Sequence, residues 1–381
     1  MGENTQRKQR RSRWKLVLLG LVLAVFVLEI GARVRVGDHF QFGAWVGAPQ
    51  AVCGEFDPEL GWRNRANTSV RCALGGGSYV VTINSRGQRG PERDFAKPAG
   101  VKRVVLLGDS TAWGWGVGDE AMWPRLVERE FAGKLEIVNL SVPGYGTDQE
   151  LWVLERDGVR YAPDLVLLAF VHNDTLSNDM ATMQGMAKPQ FVRGGDGAWS
   201  VSGRPVPEPA ESSDLAQRRT RRLATMYFAT ARLFEPPPPK PSRLALDDPK
   251  VQAGIERYWN KVASPESPSR MLLGRVREVS EAAGAKLAVF HLPHLVDRWL
   301  YDPTTPLPAE AKEPGYETYG TRKLAEVGRE LGFATFSVDG ALRDEVARGT
   351  NLDCGDEHLN ERGNEVLAKV VAAKLRELLG L

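Results

Sequence analysis

The sequence predicts an α/β protein whose parallel sheet is covered by helices on both faces. Apolar runs at 103–107, 135–140 and 165–171 are near-continuous rather than alternating, as in strands buried on both sides. Helical patterns stand between them, which is the rhythm of successive βα units. With 381 residues, 42% hydrophobic and 26% charged, the chain has the composition of a globular protein and excludes disordered or fibrous classes. That length suits one large α/β domain with insertions, or two smaller domains.

The N-terminus is a targeting segment. Arg7, Lys8, Arg10, Arg11, Arg13 and Lys15 precede an unbroken apolar run of 13 residues from Leu16 to Leu28. With Glu3 counted, residues 1–15 carry +5 of a whole-chain net charge of +2, which leaves −3 on the remainder. The basic isoelectric point belongs to the leader, so nucleic acid is not an expected partner. No small-x-small cleavage site follows, because Ala32 is trailed by Arg33, Val34 and Arg35. The segment reads as an uncleaved signal-anchor, with cleavage and secretion as the alternative. In either case the positive-inside rule keeps the basic end in the cytoplasm and exports the rest. The expected organisation is a tail and membrane helix over 1–35, a β-rich extension over 36–100 and an α/β domain over 101–381. An insertion at about 176–265 interrupts that last domain.

Export suits a disulfide between Cys53 and Cys72, while Cys354 reads as a small residue in a structured turn. Within the extension, Phe56 to Trp62 has turn chemistry, Tyr79 to Ile83 reads as a strand, and Asn84 to Gly87 turns the chain. The strand 103–107 ends at Gly108-Asp109-Ser110 and a Gly- and Trp-rich loop, followed by a helix over 119–131. The strand 135–140 runs into Ser141-Val142-Pro143-Gly144, and Thr147 with Glu150 forms the capping-box pattern that opens a helix. The strand 165–171 ends at His172-Asn173-Asp174.

Residues 176–265 read as a lid or substrate platform, with a hairpin around Gly194 to Gly197 and a stiff proline-rich linker over 235–241. The βα rhythm then resumes with a helix over 269–283, a strand over 286–292, a helix over 316–331 and a strand over 333–338. The last helix follows Asn360, a good N-cap. It presents Val366, Leu367, Val370, Val371, Leu375 and Leu378 on one face.

The chemistry gathers at strand ends. Ser110 lies just past a buried strand, at the sheet edge where open α/β folds bind ligands. A serine becomes a useful nucleophile beside a base that a third group orients. Asp356-Glu357-His358 near the C-terminus supplies both, with Asp353 as the alternative carboxylate. Backbone N–H groups of Ser110 and Gly144, with the Asn173 amide, form a candidate oxyanion hole. His291 and His294 are separated by Pro293 and have only Asp297 nearby, so no metal site and no cofactor are expected. His39 has no partner visible in sequence, whereas His172 adjoins Asn173 and is a candidate substrate contact.

These blocks resemble the SGNH (GDSL-like) hydrolase superfamily over residues 101–175 and 350–380. Its four letters match Ser110, Gly144, Asn173 and His358. The leader together with Phe56 to Asn67 is similar to exported, membrane-anchored members. The resemblance implies a flavodoxin-like three-layer αβα sandwich around a central parallel sheet, with the N-terminal membrane helix and middle insertion added. It implies Ser110 as nucleophile, His358 as general base and acid, and Asp356 as orienting carboxylate. Two positions depart from the family pattern: Val171 replaces the glycine of Gly-x-Asn-Asp, and Gly355 replaces the aspartate of Asp-x-x-His. The expected function is that of a membrane-anchored, exported serine esterase acting on an oxygen ester of a small molecule or glycan, such as an O-acetyl group. An O-acyltransferase using the same residues, or a non-catalytic binding protein on the same fold, are the alternatives.

Overall fold

The computed structural model describes residues 2–35, 45–46, 53–74, 77–183, 185–208, 249–293, 300–305, 310–313, 315–355 and 358–381. The chain forms two compact units, one from residues 1–47, 71–78 and 210–241, the other from 48–70, 79–209 and 242–381. In the first, a single helix, Gly2–Arg35, takes up the leader, and Trp45 and Val46 pair in parallel with Arg71 and Cys72. Within that helix Trp14–Ala32 has the length and composition to cross a membrane, with 19 residues of mean hydropathy 2.3.

The second unit is built on β1 (Lys102–Gly108), β2 (Leu135–Asn139), β3 (Leu165–Val171), β4 (Lys286–Leu292) and β5 (Ala334–Phe336). These pair in the order β5-β4-β3-β1-β2, and each neighbouring pair is parallel. The central position of β3 follows from its composition. All seven of its residues are apolar and none is more than 1% exposed. Burial of each large side chain there stabilises by about 1.5–3 kcal/mol.

Side-chain alternation divides the core into two layers. The helices are α1 (Ser110–Trp113), α2 (Trp123–Glu130), α3 (Thr147–Arg156), α4 (His172–Asn178), α5 (Pro249–Ala263), α6 (Pro268–Ala282), α7 (Tyr319–Leu331), α8 (Asp339–Ala347) and α9 (Glu361–Leu379). Val104, Leu106, Leu167 and Phe290 meet α2, α8 and α9 through Val127, Leu342, Leu367, Val371 and Leu375. Val105, Leu107, Leu168 and Val289 meet α3, α5, α6 and α7 through Leu151, Trp259, Leu272, Val276 and Leu324. The result is a parallel sheet with helical layers on both faces, in the flavodoxin-like strand order.

Several boundaries differ from the sequence reading for local reasons. Helix α2 starts at Trp123 rather than Asp119 because Pro124 sits in its first turn, where a missing N–H costs nothing. Helix α7 starts at Tyr319 because the Thr318 hydroxyl caps it, accepting from Thr321 N–H at 3.3 Å. Helices α4 and α8 went unread. The first is polar but for Leu176 and looks like a loop until Asp174 turns back to accept the Val171 N–H at 2.7 Å.

Within 176–265 the expected hairpin pairs Gln190–Arg193 with Trp199–Ser202, and Phe191 stacks on Trp152 at a centroid distance of 5.1 Å. Within the same range, α5 packs Trp259 and Val262 into the core. The proline-rich linker lies outside the described residues, as do His39, His294 and Asp297. The structure holds Cys53 as a buried thiol, pushed up to about 11 by that burial, rather than in the expected disulfide.

His291 is a core histidine. Its Nδ1 lies 3.1 Å from Thr321 Oγ1, whose own proton goes to Asp339 Oδ1 at 3.1 Å, so the ring is the donor in the first bond. Asp339 also accepts the Thr318 N–H at 2.7 Å. Burial outweighs these bonds and lifts the Asp339 carboxyl from 3.8 to about 6. The folded protein therefore keeps a proton that the unfolded chain releases near pH 4. This contribution to stability is complete below pH 4 and is lost as the pH rises through 6. In urea unfolding, the stability of the wild type relative to Asp339→Asn should fall by about 2 kcal/mol between pH 4 and pH 7. A difference that stays constant with pH would show that Asp339 is ionised in the folded state.

Candidate active site

Strand β1 turns into α1 within two residues, and Gly108 makes this possible. Its φ is +153°, and an added Cβ would lie 2.6 Å from the Ala112 Cβ and 3.3 Å from the Ala169 carbonyl oxygen. Asp109 is the N-cap: its Oδ1 accepts the Thr111 N–H at 2.9 Å and the Thr111 hydroxyl at 2.6 Å. Ser110 is thereby held as the first residue of α1, at the C-terminal edge of the sheet. In this strand order the sheet's switch point falls between β1 and β3.

The loops after β2 and β3 are tied to the same turn. Val142 N–H donates to Gly108 O at 3.2 Å, and Asn139 Nδ2 donates to Ala112 O at 3.0 Å. Pro143 and Gly144 occupy the centre of a turn closed by Tyr145 N–H to Val142 O at 3.1 Å. Gly144 has φ +81°, which this turn demands of its third residue. Asn173, at the start of α4, donates through Nδ2 to Asp109 Oδ2 at 3.2 Å. One N–H of that amide is thus used for orientation and its second stays available to another acceptor.

His358 arrives from the far end of the chain. Its Nε2 lies 2.8 Å from Ser110 Oγ. The ring sits on a small turn held by a bridge between Asp353 and Leu359 and by Cys354 N–H donating to His358 O at 2.9 Å. Asn360 then caps α9 by accepting Gly363 N–H at 2.9 Å. Trp115, half-buried, stacks on the imidazole with centroids 5.4 Å apart and planes at 28°. Of the two carboxylates considered as orienting groups, Asp356 lies outside the described residues. Asp353 is buried in the turn, where its Oδ1 accepts Gly355 N–H at 2.7 Å. Cys354 is half-buried in the same turn.

The floor beneath these groups is acidic. Glu150 and Asp174 are buried, and burial, then the negative charge of their neighbours, pushes both carboxyls well above the usual range. Asp148 is also raised by burial, but it meets the buried ammonium of Lys188, which donates as well to Ser177 O at 3.0 Å. His172 packs against Tyr258 with ring centroids 4.5 Å apart and planes tilted at 42°, and burial lowers its imidazole to about 4. It is therefore neutral at physiological pH. His172 O accepts the Tyr258 hydroxyl at 3.2 Å.

Arg89 was not singled out by sequence reasoning, yet it shapes the loop after the serine. It is fully buried, rests over the Trp113 ring at 4.5 Å and pairs with Asp119 at 3.0 Å. Its guanidinium also donates to the carbonyls of Trp113 at 3.1 Å, Val117 at 2.6 Å, and Gly114. The only hint in sequence is an arginine just past a Gly-Gln turn, which carries no periodic signal.

Residues 106–366 match the model of the GDSL-like Lipase/Acylhydrolase family. None of the curated proteins matches the chain. Among solved structures the chain is similar to the psychrotrophic esterase EstA from Pseudoalteromonas sp., at 13% identity and TM-score 0.39, over 74% of this chain and 100% of that one. It is also similar to TesA, at 16% identity and TM-score 0.38, over 73% of this chain and 99% of that one. A third is a lipolytic protein of the G-D-S-L family from Veillonella parvula, at 12% identity and TM-score 0.37, over 71% of this chain and 95% of that one.

Removing the Arg89 guanidinium would leave three buried carbonyls and Asp119 short of a donor. Arg89→Met should therefore cost about 3–5 kcal/mol of unfolding free energy. Denaturant titration of the folded variant checks this, and a loss below 1 kcal/mol would mean that water replaces the side chain.

Proposed function

The chain belongs to the GDSL-like lipase/acylhydrolase family, and on that premise we propose that it hydrolyses an oxygen ester through an acyl-enzyme on Ser110. The observation that carries the reading is the 2.8 Å contact between Ser110 Oγ and His358 Nε2 at the C-terminal edge of β1. In this mechanism Nε2 takes the hydroxyl proton as Oγ attacks the ester carbonyl carbon. The resulting oxyanion accepts from the Ser110 and Gly144 N–H groups and from the second N–H of the Asn173 amide. The imidazolium returns its proton to the departing alkoxide, leaving the acyl group on Oγ. Water, deprotonated by the same imidazole, then releases the acid and restores the serine.

The orienting carboxylate is assigned to Asp356, with Asp353 as the alternative. The imidazole is restrained by stacking on the Trp115 ring. The exposed part of that ring suits a sugar, which supports an O-acetylated glycan as substrate. For the leader, the 19 residues Trp14–Ala32, charged only at Lys15 and Glu29, approach the ~30 Å hydrocarbon core at 1.5 Å each. With the basic cluster before them, they support anchoring in a membrane with the catalytic unit outside the cytoplasm.

Two variants test the reading. Ser110→Ala should abolish covalent labelling by a fluorophosphonate probe and lower turnover by several orders of magnitude with the fold unchanged. Labelling that persists in the folded variant would remove the mechanism. Asn173→Ala should lower kcat by about 10²–10³ with KM little changed, as loss of an oxyanion donor does. An effect confined to KM would reassign Asn173 to substrate binding.

A further inference from the structure

A cleft of about 490 Å³ opens beside the edge strand β2, a volume within the ordinary range for small-molecule sites. Its floor is the buried Leu140, Val142, Val153 and Tyr161. Its rim carries Arg63, Arg86, Arg156 and Arg160 against Glu55 and Asp157. Two of these arginines are committed. Arg63 pairs with Glu55 at 2.8 Å, and Arg156 pairs with Asp157 at 2.9 Å and Asp57 at 3.2 Å.

Arg86 and Arg160 differ from them. All four are exposed, but Arg86 and Arg160 form no ion pair among the described residues. Each guanidinium rests over the same ring, Phe95, at 4.4 Å and 4.0 Å from its centroid. Contact with an aromatic face uses the flat surface of a guanidinium and leaves its in-plane N–H donors open. Two permanent cations therefore share one aromatic anchor at the mouth of a cleft whose carboxylates are already paired with other arginines. The neutral polar groups of the lining are also used internally. Gln88 Nε2 donates to the Tyr161 hydroxyl at 2.7 Å, the Tyr145 hydroxyl to Trp62 O at 2.5 Å, and Asn64 Nδ2 to Gly87 O at 3.0 Å.

We propose that this cleft is an anion-binding site, in which Arg86 and Arg160 hold a carboxylate or phosphate on a ligand about the size of one sugar residue. The planar fork of arginine matches both oxyanions, and the apolar floor accepts the remainder of such a ligand. The proposal does not depend on the serine chemistry. It does share a wall with it, since Val142 and Tyr145 line the cleft on either side of the turn that carries Gly144.

Calorimetric titration of the detergent-solubilised full chain with inorganic phosphate, galacturonic acid and neutral galactose tests this. At least one of the two anions should bind, more weakly as salt is raised, and galactose should not. Phosphate binding would identify a phosphorylated ligand, and galacturonate binding a carboxylated sugar. The double variant Arg86→Gln, Arg160→Gln should weaken binding at least about tenfold per arginine, the worth of a charge-assisted hydrogen bond, while hydrolysis of p-nitrophenyl acetate is unchanged. The proposal fails if neither anion binds the wild type at millimolar concentration, which can be read without any variant. It also fails if galactose binds as well as the anions, or if the folded double variant binds like the wild type.

Discussion

The carboxylate of Asp109 is the point to which the candidate site is referred. One of its oxygens caps α1, and the other lies 3.3 Å from the Ser110 hydroxyl and accepts from the Asn173 amide at 3.2 Å. It can do this only because Gly108 lets the chain leave the sheet without colliding with Ala112. A single short acid thus sets the start of a helix, the direction of the serine and the orientation of an amide from another strand. Preorganisation of this kind matters because a displacement of about 1 Å at a reacting group can cost about 10²-fold in rate.

That carboxylate is embedded among others, and the surroundings show how the protein tolerates them. Glu150 and Asp174 are driven toward their protonated forms, while Asp148 has the ammonium of Lys188. Positive charge is instead placed where backbone carbonyls converge. Arg89 gathers the loop after the serine, and Arg103 donates to the carbonyls of Asp94, Phe95 and Tyr161 while pairing with Glu136. In both cases the segment 89–95 before β1 is fastened to the sandwich by charge-assisted bonds to main chain.

What could be read from the sequence follows from how local each signal is. The strands declare themselves because β3 has no polar residue, and α9 because its apolar positions recur at helical spacing behind a good cap. Ser110, Gly144, Asn173 and His358 stand out as short blocks at the ends of such elements. The features that escaped are those set by distant atoms. Helix α4 is written in residues that suit a loop, and Asp174 makes it a helix. Arg89 acts on carbonyls 24 to 28 residues away, for which no spacing rule exists. The stacking of Trp115 on His358 joins two loops that share no periodicity. The cysteine pairing rests on compartment and on closeness in sequence, and neither fixes sulfur geometry.

The contact between Ser110 and His358 spans 248 positions of chain. Closing so large a loop is entropically slow and must wait for the segments between to assemble. In a chain made from its N-terminus, β1, β2 and the turn at Gly108 are synthesised well before α9, which follows the imidazole. The bond from Trp123 N–H to the Asn364 side chain, 2.9 Å, means that even α2 is incomplete until that last helix docks. The molecule therefore carries its own timer: Ser110 stays apart from the His358 imidazole until α9 has docked.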